Sequence, residues 1–515
     1  MNGAESMLQT LINNGVEVCF TNPGTSEMHM VAAIGKTTGM RSILGLFEGV
    51  CTGAADGYGR MAGKPACTLL HLGPGLSNGS ANLHNAKKAN SPILNLIGDH
   101  ATYHKKYDAP LTSDVIGLSH PVSHWVKTSE TSNELPKDAA EAVVVANGAP
   151  GKISTLIVPA DCAWDESGEP LPAQPIPAAP LVSDESVQEA LALLKNGKKT
   201  ILLLGNLALT EAAIDIVDKI SQATGAQLFC DTFVTRLPRG EGRCEVERLG
   251  YFAEQATEQL DGVEQLIMVG TKAPIAFFAY PGKASEFYAE GSTLHTLAGV
   301  NDDAENALQR LSDALDANSL SPRHVKLAKK GEGKGELNPY TIGQTFAEHM
   351  PIDAIVIDEG ATSGGGCYAS SVTSEPHDWI TLTGGSIGFG LPTAIGAAVA
   401  CPDRKVIAIH GDGGAMYTIQ SLWTMAREDL DICVVIFANR KYQILQVELA
   451  RVGAQSMNKK TLDMLDIGSP NLDFVKLSEG MGVSATRATT IAEFNSQYLQ
   501  AMKTTGPKLI EAILP

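Results

Sequence analysis

The segment VIAIHGDGGAMYTIQSLWTMAREDLDICVVIFANRKY (406–442) restricts the fold more than any other feature of the chain. Two short β-branched runs, one ending at His410 and one spanning Cys433–Phe437, flank a stretch with helical patterning from about Thr418. A helical crossover of this length returns the chain to a neighbouring parallel strand. Asp412, in the turn Gly411-Asp412-Gly413-Gly414, and Asn439 then emerge at the same carboxyl edge of a sheet. Twenty-five residues separate Gly413 from Asn439. One hard carboxylate, one amide oxygen and a nearby backbone carbonyl are too few ligands to cage Mg²⁺, but they suffice when phosphate oxygens and water complete the octahedron. The glycines allow the backbone to approach a diphosphate, and the following helix N-terminus can face it. An Asp-Gly turn alone is commonplace; its pairing with Asn439 across two strands makes it a candidate site.

The same alternation of apolar runs and amphipathic stretches extends along the chain. ACTLLHL, SPILNLIGD and STLIVPAD read as buried strands in the first third, KKTILLLGN and EQLIMVGT in the middle, and DAIVIDEG in the last. Two stretches read as linkers. Glu166–Pro180 has five prolines within eleven residues, and Ser319–Pro339 is charged and glycine-containing. At 515 residues the chain is too long for one core. The expectation is therefore an α/β protein of three consecutive doubly wound parallel-sheet domains, 1–165, 181–320 and 337–515.

Composition narrows the function classes. The formal net charge of −18 argues against nucleic acid and anionic membranes as partners, although a metal or a ring of backbone amides still admits an anionic ligand. No apolar run reaches membrane-span length. The nine cysteines contain no CxxC pair, so neither a disulfide framework nor a zinc site is expected, and reduced thiols are the reading. The opening MNGAESMLQT has neither a basic nor an apolar leader region, and a cytoplasmic location is expected.

With its Asn at this spacing, the GDG segment resembles the thiamine-diphosphate enzyme superfamily. LGLFEGVCTGAADGYGRMAGKP, TNPGTSE, HLGPGLSNG and TLTGGSIGFGLPTAIGAA are similar to further segments of that superfamily. The resemblance covers both end segments almost completely and the middle one in outline. It implies thiamine diphosphate and Mg²⁺ or another divalent cation as cofactors. Glu48 would be the carboxylate that hydrogen-bonds the aminopyrimidine, Ile387 the wedge under the rings, and Gly385 the carbonyl facing N4′. Asp412, Asn439 and the Lys441 backbone would hold the metal; Gly24, Asn78, Gly411, Gly413, Gly414 and Tyr442 would contact the cofactor. The same resemblance implies an obligate homodimer, paired into a tetramer.

Within the superfamily the chain resembles the acetolactate synthase and benzoylformate decarboxylase branch, with active-site residues closer to the decarboxylase. His71 stands where that decarboxylase has a histidine and acts as candidate acid or base, whereas Phe277, Phe278 and Ala279 occupy the place of its second one. Thr25, Ser26, His100, Phe278 and Leu445 are the candidate substrate pocket; His29, His104 and Phe277 are nearby candidates, and Glu448 reads as a solvated helix charge. The implied reaction is non-oxidative decarboxylation of a small-molecule 2-oxo acid to an aldehyde through a C2 ylide and an enamine. The alternatives are a carboligase or C–C lyase acting on 2-hydroxyketones, and an inactive regulatory homologue. The strand-to-glycine turns at Gly205 and Gly270 carry no specific nucleotide signal, so FAD is not expected.

Overall fold

The computed structural model describes residues 1–453 and 458–515. The first domain is built on β1 (Val18–Asn22), β2 (Arg41–Leu44), β3 (Ala66–His71), β4 (Ile93–Asp99), β5 (Trp125–Thr128) and β6 (Ile153–Pro159). Its sheet runs β2-β1-β3-β4-β6-β5 with every pairing parallel. Strands β4 and β6 are buried along their whole length, which is why they read as unbroken apolar runs rather than alternating ones.

The middle of the chain supplies β7 (Thr200–Leu204), β8 (Gln227–Cys230), β9 (Leu237–Arg239), β10 (Glu247–Arg248), β11 (Gln265–Val269) and β12 (Thr293–Ala298). Five of them form the sheet β10-β8-β7-β11-β12. The last segment contributes β13 (Ala354–Glu359), β14 (His377–Thr381), β15 (Val406–Gly411), β16 (Ile432–Ala438), β17 (Ser484–Ala488) and β18 (Lys508–Ile513), in the order β17-β18-β16-β15-β13-β14-β9. The chain thus has three parallel-sheet α/β domains, with one exception to the parallel rule. Strand β9 leaves the middle segment to pair antiparallel with β14, at the edge of the third sheet. An edge is where Pro238 can be tolerated, because its missing N–H need not bond a neighbour.

The parallel register of β15 with β16 brings Gly411 beside Phe437, so the two loops that follow leave the same edge. The first and third domains pack through helices Glu48–Ala62 and Gly390–Ala400. A methyl group on Gly396 would sit 1.8 Å from the Ala54 carbonyl, so glycine is what permits this approach. No helix among the described residues is long and apolar enough to cross a membrane.

Two local expectations are corrected. HLGPGLSNG, which the family resemblance implies to be a loop, instead begins helix Leu72–Ala89; Pro74 lies in its first turn, where no N–H is needed. After the GDG turn, helix forms at Asp412–Ala415 and only resumes at Ser421–Arg427, rather than running unbroken from Thr418.

Candidate active site

Glu48 is the first residue of helix Glu48–Ala62, where the helix dipole favours a carboxylate. Its Oε2 accepts a hydrogen bond from Asn78 Nδ2 at 2.9 Å. Asn78 therefore acts from a helix, not a loop, and the neighbouring turns of that helix carry Asn82 and Asn85. Asn82 donates to the Gly49 and Gly388 carbonyls, and Asn85 to the Ser386 carbonyl.

His71 closes β3 and stands at the N-terminus of the same helix, with its side chain turned to other partners. Its Nδ1 lies 2.9 Å from Glu27 Oε2 and 3.1 Å from Ser26 Oγ. Glu27 is completely buried, and its carboxylate also accepts from the Gly24 N–H and the Ser26 hydroxyl. A carboxylate on Nδ1 places the proton there and leaves Nε2 for other chemistry. Gly24 is required at this point, since a Cβ would come within 2.2 Å of the His71 ring. Glu27 was absent from the sequence-based candidates. The available signal was its place three residues after Gly24 in TNPGTSE, but nothing in that spacing reveals a partner at His71.

At the edge of the third sheet, Asp412 is 4% exposed, and its two oxygens accept from the backbone N–H groups of Gly413 and Arg440. Burial pushes its carboxyl pKa up, opposed by those N–H donors. Among the described residues no basic side chain forms an ion pair with it. Asn439 Oδ1 accepts from Lys441 N–H at 3.1 Å, so the loop 439–441 curls over Asp412. Tyr442 covers Gly413, whose absent Cβ would lie 2.4 Å from the ring. A buried carboxylate and a neighbouring amide oxygen, supported mainly by backbone, form a donor set that fits a hard divalent cation with phosphate oxygens.

Behind both loops sits a second pair that the sequence did not disclose. Glu359 accepts from the Gly388 and Gly390 N–H groups, each at 2.6 Å, and its Oε2 is 3.0 Å from His410 Nε2. Burial works against a charged His410, yet the adjacent Glu359 outweighs it and the pKa moves up. This pair ties the Gly385–Gly390 loop, which carries Ile387, to the Gly411–Gly414 turn.

Gly385 is exposed, with φ +77°, and Phe277 from the middle domain lies over it. Phe277 and Phe278 are half exposed and stack edge to face, with centroids 4.9 Å apart. Glu448 is not the solvated charge expected. Its carboxylate is enclosed 3.6 Å from Arg451 Nε, beside Tyr280, whose pKa rises to about 12 through burial and then through Glu448. The reason is tertiary, because the aromatic segment of the middle domain folds against this helix. His100 has a buried, unpartnered Nε2 and a ring 5.5 Å from the exposed His104.

The residues therefore fall into two groups. Gly24–Glu27, Glu48, His71 and Asn78 line the first sheet's edge, and Gly385, Ile387, 411–414, 439–442 and Leu445 line the third's. Within one chain no hydrogen bond among the described residues links Glu48 or His71 to Asp412, Asn439 or Lys441. Thr25, Asn78, Gly385 and Leu445 are exposed on the single chain.

Residues 1–123 match the family described as thiamine pyrophosphate enzyme, N-terminal TPP binding domain, and residues 364–512 the corresponding C-terminal TPP binding domain. A Mycobacterium tuberculosis protein provisionally named as an acetolactate synthase large subunit, IlvX, is 46% identical, over 100% of this chain and 99% of its own. The benzoylformate decarboxylase of Pseudomonas aeruginosa is 27% identical, over 98% of this chain and 97% of its own. Among solved structures, the thiamine diphosphate-dependent 4-hydroxybenzoylformate decarboxylase of Rhodococcus jostii RHA1 superposes with a TM-score of 0.87. It is 23% identical, covers 99% of this chain and 98% of that one, and shares the fold. By sequence across its whole length, and by both cofactor-domain matches, the chain belongs to the thiamine pyrophosphate enzyme family.

Proposed function

We propose that this protein removes carbon dioxide from a 2-oxo acid and releases an aldehyde, using thiamine diphosphate and Mg²⁺. The observation that carries this reading is the buried Glu27 carboxylate on His71 Nδ1, which supplies an oriented acid–base imidazole beside Glu48. When bound, the cofactor supplies an electron sink for the breaking carbon–carbon bond. The chain's own residues do the rest. Asp412, Asn439 and the Lys441 carbonyl would hold the metal, the glycines of 411–414 would admit the diphosphate, and Tyr442, which lies over Gly413, would flank it. Glu48, steadied by Asn78, would hydrogen-bond the aminopyrimidine, and Gly385 and Ile387 would position that ring. His71 Nε2 moves the proton that completes the product, and Glu27 stabilises the imidazole while it is charged.

Thr25, Ser26, His100, Phe278 and Leu445 would surround the substrate. The half-exposed Phe277–Phe278 pair favours an apolar or aromatic substituent on the 2-oxo acid. Two chains would complete each site, since the exposed edges of the first and third domains each hold half the machinery. A homodimer would follow, and the family resemblance implies that two such dimers would pair into a tetramer.

Carboligation is the second reading. It is favoured by the name of the 46%-identical relative and by phenylalanines where a second acid–base histidine would stand. Incubation with a panel of 2-oxo acids, Mg²⁺ and thiamine diphosphate, with and without an acceptor aldehyde, separates the two. Free aldehyde supports decarboxylation, and a ketol formed at its expense supports ligation. If Glu48→Gln leaves turnover unchanged, both readings fail.

A further inference from the structure

Where the middle domain meets the segment leading to the third, three potential ligands from distant parts of the chain converge. Asp215 lies on helix Glu211–Thr224, Cys244 on the loop between β9 and β10, and His324 on the segment leading to the third domain. Cys244 and His324 face each other as an isolated antiparallel pair. Backbone hydrogen bonds from Gly242 N–H to the Val325 carbonyl and from Val325 N–H to the Arg243 carbonyl, at 3.0 and 2.8 Å, hold the two segments together. Asp215 Oδ1 is 2.9 Å from His324 Nε2 and 3.4 Å from Cys244 Sγ, and the three ligand atoms lie within 4.8 Å of one another.

The surrounding charges are already paired. Arg323 binds Asp218 at 2.6 Å, and Arg243 binds Glu211 at 2.8 Å. Asp215 is therefore the carboxylate of this helix without an arginine or lysine partner among the described residues. Sulfur, imidazole and carboxylate together suit a borderline cation such as Zn²⁺ and not Mg²⁺ or Ca²⁺, which take oxygen ligands. Zinc bonds of roughly 2.0–2.3 Å in a tetrahedron require ligand atoms about 3.3–3.8 Å apart. The Asp215–Cys244 spacing of 3.4 Å already fits, the Asp215–His324 spacing of 2.9 Å must open slightly, and all three atoms lie within 4.8 Å of one another. His324 is exposed, which gives a cation a path in, and Cys244 is buried, which keeps the thiol from bulk oxidants.

We propose that Asp215, Cys244 and His324 form a second metal site, independent of the proposed cofactor chemistry. It takes Zn²⁺ or a similar transition-metal cation and clips the 319–338 linker to the middle domain. Binding exchanges the thiol proton for the metal, with the proton released to solvent and water in the fourth position; no electron transfer is involved.

The test uses full-length protein stripped with chelator, reloaded with thiamine diphosphate and Mg²⁺, and titrated with Co²⁺. The expected result is one Co²⁺ per chain with a near-ultraviolet thiolate–cobalt charge-transfer band, displaced by Zn²⁺. Cys244→Ser should abolish the band. His324→Gln, a surface change, should weaken affinity by more than about tenfold, since even outer-shell partners are worth that much. Absence of the band in the unaltered protein, or its persistence in Cys244→Ser, overturns the proposal. If Cys244→Ser does not fold, undiminished Co²⁺ affinity in His324→Gln overturns it instead.

Discussion

At the scale of single residues, the buried carboxylates matter most. Glu27 orients His71, so Glu27→Gln should lower kcat by about 10²-fold while leaving thiamine diphosphate affinity nearly unchanged. Steady-state kinetics on the best 2-oxo acid, with a separate cofactor titration, checks this; an equal loss of both would make Glu27 merely structural. Asp231, after β8, has its carboxyl pushed up to about 7 by burial, against the Thr271 hydroxyl that donates to it. Its folded pKa is above the unfolded value. The associated stability is fully present below about pH 4 and is lost as pH rises through 7. Asp231→Asn removes that loss and keeps a Thr271 partner. The variant should match the parent near pH 4 and exceed it at pH 8 by on the order of 2–4 kcal/mol. Urea unfolding at the two pH values measures it, and a difference independent of pH would refute it.

At the scale of elements, helix Leu72–Ala89 ties the first domain's share of the candidate machinery to the third domain's within the same chain. Asn78, Asn82 and Asn85 recur on one face and reach Glu48, the Gly49 and Gly388 carbonyls, and the loop carrying Ile387. Asn82 is 3% exposed, and Asn82→Ala would remove one donor from each of the Gly49 and Gly388 carbonyls, which keep the Thr52 and Thr418 hydroxyls, so the cost should be about 1 kcal/mol. The 383–390 loop would loosen with it. The dissociation constant for thiamine diphosphate should then rise by more than the substrate KM does, as equilibrium dialysis and kinetics together would show. The crossover from β15 to β16 was legible from the sequence because strand patterning and the GDG turn are local signals. This helix was not legible as one, because Gly, Pro, Ser and Asn in its first turns carry weak helix propensity, and packing against helix Glu48–Ala62 outweighs it.

For the whole molecule, Arg60 is the junction of the three domains. Its side chain is fully buried and pairs with Asp56. It also donates to the Thr235 carbonyl of the middle segment and to Thr381 and Thr383 of the last. Replacing it by Met leaves Asp56 buried without its cation, so Arg60→Met should destabilise the assembled chain by about 3–5 kcal/mol. Loss of a single cooperative transition in calorimetry, with the domains melting apart, is the expected sign. The exposed residues of each half-site carry the other prediction at this scale. Sedimentation should find a dimer or tetramer, and mixing Glu48→Gln with Asp412→Ala chains should restore a fraction of the activity that neither variant has alone. No recovery would mean that each site is built within one chain.

The amino-acid sequence determined the alternation of strands and helices, the cofactor-family motifs and the identity of Glu48, His71, Asp412 and Asn439 as candidates. The strand–helix alternation and the GDG turn lie within a few turns of chain, where periodicity and glycine placement act, whereas Glu48 and His71 were named by the resemblance of short motifs to the family. Tertiary structure decided what those residues touch. Glu27 met His71 across 44 residues, Glu359 met His410 across two strands, and Glu448 left solvent for an aromatic wall supplied by another domain. Such pairings depend on how sheets and helices stack, and stacking is set by burial summed over many residues rather than by any local pattern.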